Sequence, residues 1–270
     1  MNQVAFGIDL AGFSTGKSGL AKAQRDESGN ITATIFRGHP FARSSKGFAR
    51  IDDVVGEEAR TLIHLLSTGV VLIDMPLDLQ SLSDPKSAKL IWELTKRPVD
   101  YVFSALPPLA DKIGSPVARA QIILATIMDR SPSHIRFGDN LYETYPAGSL
   151  ELIGLPRKGY KGQSVTFVEG KWRGESLATI ANGLKLKADD EVSLNDDDVD
   201  AIICALTGVV DSSDALETDQ LENEIADRLD QSLPPSAPKT DPTPPQGYRL
   251  LKNKESIKGV TVTESDWEEK

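Results

Sequence analysis

The sequence is poor in soft metal ligands. Cys204 is its single cysteine, so one chain can form neither a disulfide nor a cysteine metal cluster, and a reducing cytoplasm is the expected setting. The three histidines, His39, His64 and His134, are scattered and show no metal-ligand spacing. Apolar runs stop well short of the roughly 20 residues that a membrane helix needs. No basic segment followed by an apolar core and a cleavage site opens the sequence, so neither export nor a membrane is expected. Positive charge is also scarce. A net charge of −10 argues against a protein that coats nucleic acid nonspecifically, while leaving room for a local basic patch.

What remains is an ordinary globular composition, and 270 residues suffice for one large α/β domain with appendages. Residues 3–10, 18–24 and 31–37 read as strands, the last two joined by the turn signal DESGN. Apolar residues at 51, 54, 55, 59, 62, 63 and 66 mark an amphipathic helix over 51–67. Residues 70–74 read as a central parallel strand. Helical patterns are expected at 86–95, 116–129, 147–153 and 175–187, and strands at 134–137 and 141–144. Asn195 reads as the N-cap of a helix running to about 210, with Asp198 at its third position.

Past residue 210 the character changes. Residues 211–230 hold eight acids and one base, Arg228. A proline-rich stretch, PPSAPKTDPTPP, follows it. The expected organisation is a domain over 1–210, an acidic helix and linker over 211–246, and a returning strand with a loosely ordered tail over 247–270. The acidic insertion reads as a solvated spacer or as a surface for a protein partner.

Against this background the placement of acids stands out. Asp9 closes the apolar run VAFGIDL and Asp74 closes VVLIDMP. Glu143 sits in LYETYP, and Asp197 and Asp200 lie three apart at the start of a helix, on one face. A strand that runs apolar up to a carboxylate delivers that charge to the rim of a sheet. If the first strand pairs in parallel with 70–74, Asp9 and Asp74 lie about 4.8 Å apart along the hydrogen-bonding direction. Carboxylates so gathered repel one another unless divalent cations join them, which points to metal-assisted chemistry on phosphate esters.

These stretches resemble a known family. GIDLAG (7–12), LIDMPLDL (72–79), ETYPAGSLELIG (143–154) with GYK (159–161), and DDDVDAIICALTG (196–208) occur in the order found in the predicted nucleases catalogued as domain of unknown function 429. GYRLL (247–251) is similar to that family's closing strand. The resemblance implies an RNase H-like α/β fold, with a mixed five-stranded sheet of three antiparallel strands followed by parallel ones, flanked by helices. It implies Mg2+ or Mn2+, nucleic acid as substrate, and Asp9, Asp74, Glu143 and Asp200 as the acidic positions. Asp197 resembles the extra acid of RuvC-type resolvases.

Around these acids, Lys161 is a candidate phosphate contact. The basic loop 37–50, with Arg43, Lys46 and Arg50, is a candidate grip on a phosphate backbone, and Phe41 and Phe48 could stack on bases. Glu57 or Glu58 on the first helix competes with Glu143 for the role of metal-site acid. Other readings stay open. AGFSTGKS (11–18) fits a relaxed phosphate loop, which would require a helix directly after Gly16. An actin-like ATPase would need a second domain, and a non-catalytic nucleic-acid-binding module would need only the fold.

Overall fold

A computed structural model of the protein describes residues 3–43, 50–189, 191–257 and 259–268. The chain opens with an antiparallel meander of β1 (Gln3–Asp9), β2 (Gly19–Arg25) and β3 (Ile31–Arg37). Asp26 caps the second turn by accepting the N–H groups of Ser28 and Asn30. Helix α1 (Ile51–Thr68) leads into β4 (Val70–Asp74), which lies parallel to β1. A short α2 (Pro98–Val102) and a long α3 (Asp111–Arg130) precede β5 (Leu141–Glu143), parallel to β4. The three antiparallel strands followed by parallel ones are those expected for an RNase H-like sheet.

Two further strands extend it. After α4 (Pro146–Leu152), β6 (Ser164–Val168), β7 (Lys171–Arg173) and α5 (Ser176–Gly183) comes β8 (Lys187–Ala188). Then β9 (Ser193–Asn195) runs into α6 (Asp196–Val209), and β10 (Ala215–Glu217) into α7 (Thr218–Ser232). The last elements are β11 (Arg249–Leu251) and β12 (Val260–Asp266). The main sheet is seven-stranded, in the order β5-β4-β1-β2-β3-β12-β8, where five strands were expected. The stretch expected to be a loose tail supplies β12, parallel to β3 through seven register pairs. GYRLL does return, but as β11 it pairs with β10 in a separate ribbon. Strands β7, β6 and β9 form a third, small antiparallel sheet.

Alternation along β1 sets the two faces. Phe6 and Ile8 pack with Leu62 and Leu65 of α1 and Ile123 of α3, while Ala5 faces α6. Helix α6 lies nearly bare against the sheet. A Cβ on Gly7 would come within 2.1 Å of the Ala201 carbonyl oxygen, and one on Gly19 within 2.2 Å of that of Asp197. Those two glycines let the helix backbone approach closely enough to bring its first turns to the ends of β1 and β2.

Several expected elements differ. Residues 84–95 form turns and a 3-10 segment at Ile91–Leu94, held by Asp84 and by Glu93, which accepts the N–H groups of Lys89 and Leu90. Of residues 134–137, expected as a strand, His134 ends a 3-10 turn (Pro132–His134) and Phe137 forms only an isolated bridge with Leu141. Helix α5 stops at Gly183 because Lys185 takes a positive φ of 55°. The acidic segment is a docked helix: Leu221, Ile225 and Leu229 of α7 are buried against Val99, Phe103, Tyr248 and Leu250. The linker behind it is pinned, with Thr240 donating to Glu93 at 2.6 Å and Lys89 to the Lys239 carbonyl at 2.6 Å. Residues 10–18 lead straight into β2, so no helix follows Gly16 and the phosphate-loop geometry is not formed.

Candidate metal centre and its cavity

Parallel pairing puts Asp9 and Asp74 directly opposite each other at the ends of β1 and β4. Helix α6 brings the third acid. Its start is fixed by a capping box in which Asn195 accepts the Asp198 N–H at 2.8 Å and Asp198 accepts the Asn195 N–H at 3.0 Å. Asp200, almost fully buried, then projects onto the strand ends. Asp9, Asp74 and Asp200 each offer one carboxylate oxygen, and these three oxygens lie within 4.8 Å of one another.

Two residues that precede β6 complete the cluster. The Tyr160 hydroxyl donates to Asp200 Oδ1 at 3.0 Å. Lys161 Nζ donates to Asp200 Oδ2 and lies 3.6 Å from Asp9. Lys161 was expected to touch a phosphate, and the structure places it first on the carboxylates. Burial works against its charge, but Asp200 and then Asp9 hold its pKa well above the usual lysine range.

The acids respond in the opposite sense. Burial raises Asp9 well above an ordinary aspartate; Lys161 pulls it back, and Asp74, Asp200 and Asp197 push it further. Burial and then the Asp200 charge raise Asp74 to about 7, and burial with Asp196 raises Asp197 to about 6. Because these folded-state values lie above the unfolded ones near 4, the associated stability is fully present below about pH 4. It is lost as pH rises through about 6 to 7. In EDTA, Asp74→Asn is therefore expected to gain on the parent by about 3–4 kcal/mol more at pH 8 than at pH 4, read by urea unfolding. An equal gain at both pH values would show that Asp74 carries no unfavourable charge.

Glu143 borders this cluster and is engaged elsewhere. Its two oxygens accept from Arg97 at 2.5 and 2.8 Å, and Oε2 also takes the Leu77 N–H at 2.8 Å. Arg97 in turn holds Asp100. The buried partner of Glu143 is thus Arg97, while Lys161 sits on Asp200 and Asp9. Glu58 is likewise buried in an ion pair with Arg119 at 2.5 Å, while Glu57 pairs with Arg43. Asp197 is not one of the three converging acids. It lines a separate cavity of about 330 Å³ with Lys17, Ser18, Arg37 and His39, where burial lowers the imidazole to about 4.

The basic loop is less available than its composition suggests. Arg37 is tied to Asp198 and Glu264, and Phe41 is buried in the core. Arg50 is exposed at the start of α1. Neither Arg43 nor Arg50 lines the cavity beside the carboxylates, and Lys46 and Phe48 lie outside the described residues. That cavity measures about 430 Å³ and is lined by all three aspartates, Lys161, Arg97 and Glu143.

The donor set suits a hard divalent cation. It is all carboxylate oxygen, and when the three acids are ionised, one lysine leaves two of their charges uncompensated.

No protein-family model matches the chain, and no curated protein matches it. Among solved structures, a RuvC of Thermus thermophilus is similar over 75% of this chain and 91% of that chain, at 11% identity and a TM-score of 0.37. A likeness at that level decides nothing about chemistry, which the side chains have to carry. No helix among the described residues is long and apolar enough to cross a membrane.

Proposed function

We propose that the protein is a divalent-metal-dependent nuclease that hydrolyses phosphodiester bonds, and a member of the domain of unknown function 429 family whose acidic motif positions it carries. The observation that supports this reading is the convergence of Asp9, Asp74 and Asp200, from two strands and a helix, on one cavity. These three residues would hold Mg2+ or Mn2+. Such an ion supplies Lewis-acid polarisation of a phosphoryl oxygen and a nucleophilic water at neutral pH.

The chain's own residues do the rest. Tyr160 and Lys161 fix the Asp200 carboxylate by hydrogen bonds to both its oxygens. Lys161 keeps its proton, so its ammonium is a fixed positive charge beside the acids and can meet a phosphate oxygen. Arg97 holds Glu143 at the cavity wall, where its charge helps keep Asp74 basic. Asp197 acts from its neighbouring position by raising the affinity of Asp9 for positive charge.

Incubation with single-stranded DNA, duplex DNA and RNA is the deciding test. Cleavage of at least one is expected with Mg2+ or Mn2+ and none in EDTA. Intact substrates under both metals would overturn the reading. Nucleic-acid binding without cleavage would favour a non-catalytic module with the same fold.

A further inference from the structure

The cavity that holds the carboxylates is also lined by apolar side chains. Met75, Pro76, Leu106, Ile113 and Ala147 also line it, together with the ring of Tyr145. A sugar-phosphate backbone needs no such surface, whereas a base lifted out of its stack does. Its volume of about 430 Å³ is on the small-molecule scale, which runs from roughly 300 to 1,000 Å³.

The cations around it tell the same story. Arg97 is consumed by Glu143 and Asp100, and Arg157 by Glu151 and the Phe103 carbonyl. Of the cavity-lining cations, Lys158 is exposed and forms no ion pair among the described residues. An extended backbone tract is bound through many free lysines and arginines. One phosphate ester requires only one or two.

Building on the nuclease reading, we infer that the cavity takes a single unstacked nucleotide, with its phosphate ester at the carboxylates and its base among Leu106, Ile113 and Tyr145. The nucleotide is either free or the unpaired end of a strand.

Calorimetric titration in Mg2+ with dAMP, 2-deoxyribose 5-phosphate and inorganic phosphate tests this. dAMP is expected to bind at least about ten-fold tighter than 2-deoxyribose 5-phosphate, the value of one base stacked in an apolar site. Ala147→Trp, which places a bulky ring among the apolar lining residues, should erase that advantage and leave 2-deoxyribose 5-phosphate unaffected. Leu106→Ala, at a half-exposed position, should reduce the advantage several-fold and guards against misfolding of the tryptophan variant. Equal binding of the three ligands, or an advantage that survives both substitutions, would overturn the pocket while leaving the metal centre standing. No Mg2+-dependent binding of any of them would overturn both. Competition separates the sources: a single-stranded pentamer displacing dAMP identifies a strand end, and its failure to do so identifies the free nucleotide. A blunt hairpin competing as well as the pentamer would overturn the inference.

Discussion

Asp9→Asn is expected to lower metal-dependent cleavage by at least about 1,000-fold, equivalent to about 4 kcal/mol of transition-state stabilisation. The same substitution should raise the melting temperature of the metal-free protein by a few degrees. Both effects come from one position. Asp9 pairs with Asp74 across the sheet and shares Lys161 with Asp200. Its buried charge is opposed by three neighbouring acids and favoured by one lysine. An amide keeps the shape, removes that repulsion and removes a cation ligand. Cleavage assays and thermal melts in EDTA check the two arms. Full activity in the variant would show that the carboxylates are a structural cluster. A lower melting temperature would show that the charge of Asp9 is stabilised by more than Lys161.

Arg97→Ala is expected to destabilise the fold by about 3–5 kcal/mol, the cost of leaving buried carboxylates without their partner. Arg97 is almost fully buried and holds Glu143 and Asp100 at once. Burial already lifts the pKa of Glu143, and Arg97 is the main force holding it down. Without the arginine, Glu143 escapes the penalty by taking a proton. The loss should therefore be smaller at pH 5 than at pH 8, measured by urea unfolding at both. A loss independent of pH would mean that Glu143 is not the residue left unpaired.

The two faces of this chemistry differ in how well they could be read from the chain. Asp9 and Asp74 were legible because each ends an apolar strand, and parallel pairing of those strands makes them neighbours. Asp200 was legible because the Asn195–Asp198 capping box fixes where α6 starts. The close seat of that helix depends on Gly7 and Gly19, which carry no visible signal beyond the lack of a side chain. Arg97 was missed because its partner lies 46 residues away and nothing local marks the pair. Helical periodicity at 86–95 misled because Asp84 and Glu93 spend their carboxylates on backbone N–H groups and favour turns. β12 was missed because only Val260 and Val262 are buried, and its second half, ESD, is exposed. The helix of α7 was legible in its amphipathic pattern, but its docking was not, because the buried seam is only three residues among many acids.

That overlooked strand governs how the molecule can be made. β12 sits between β3 and β8, and β8 has no other neighbour in the main sheet. Until residue 266 clears the ribosome, β3 presents an open row of backbone donors and acceptors to whatever else is nearby. The strands that carry Asp9 and Asp74 emerge early and can pair at once, yet the far side of the sheet waits for translation to pass every other element. A nascent chain stalled before residue 260 would thus carry an assembled meander with one sticky margin, a natural place for a chaperone to hold on.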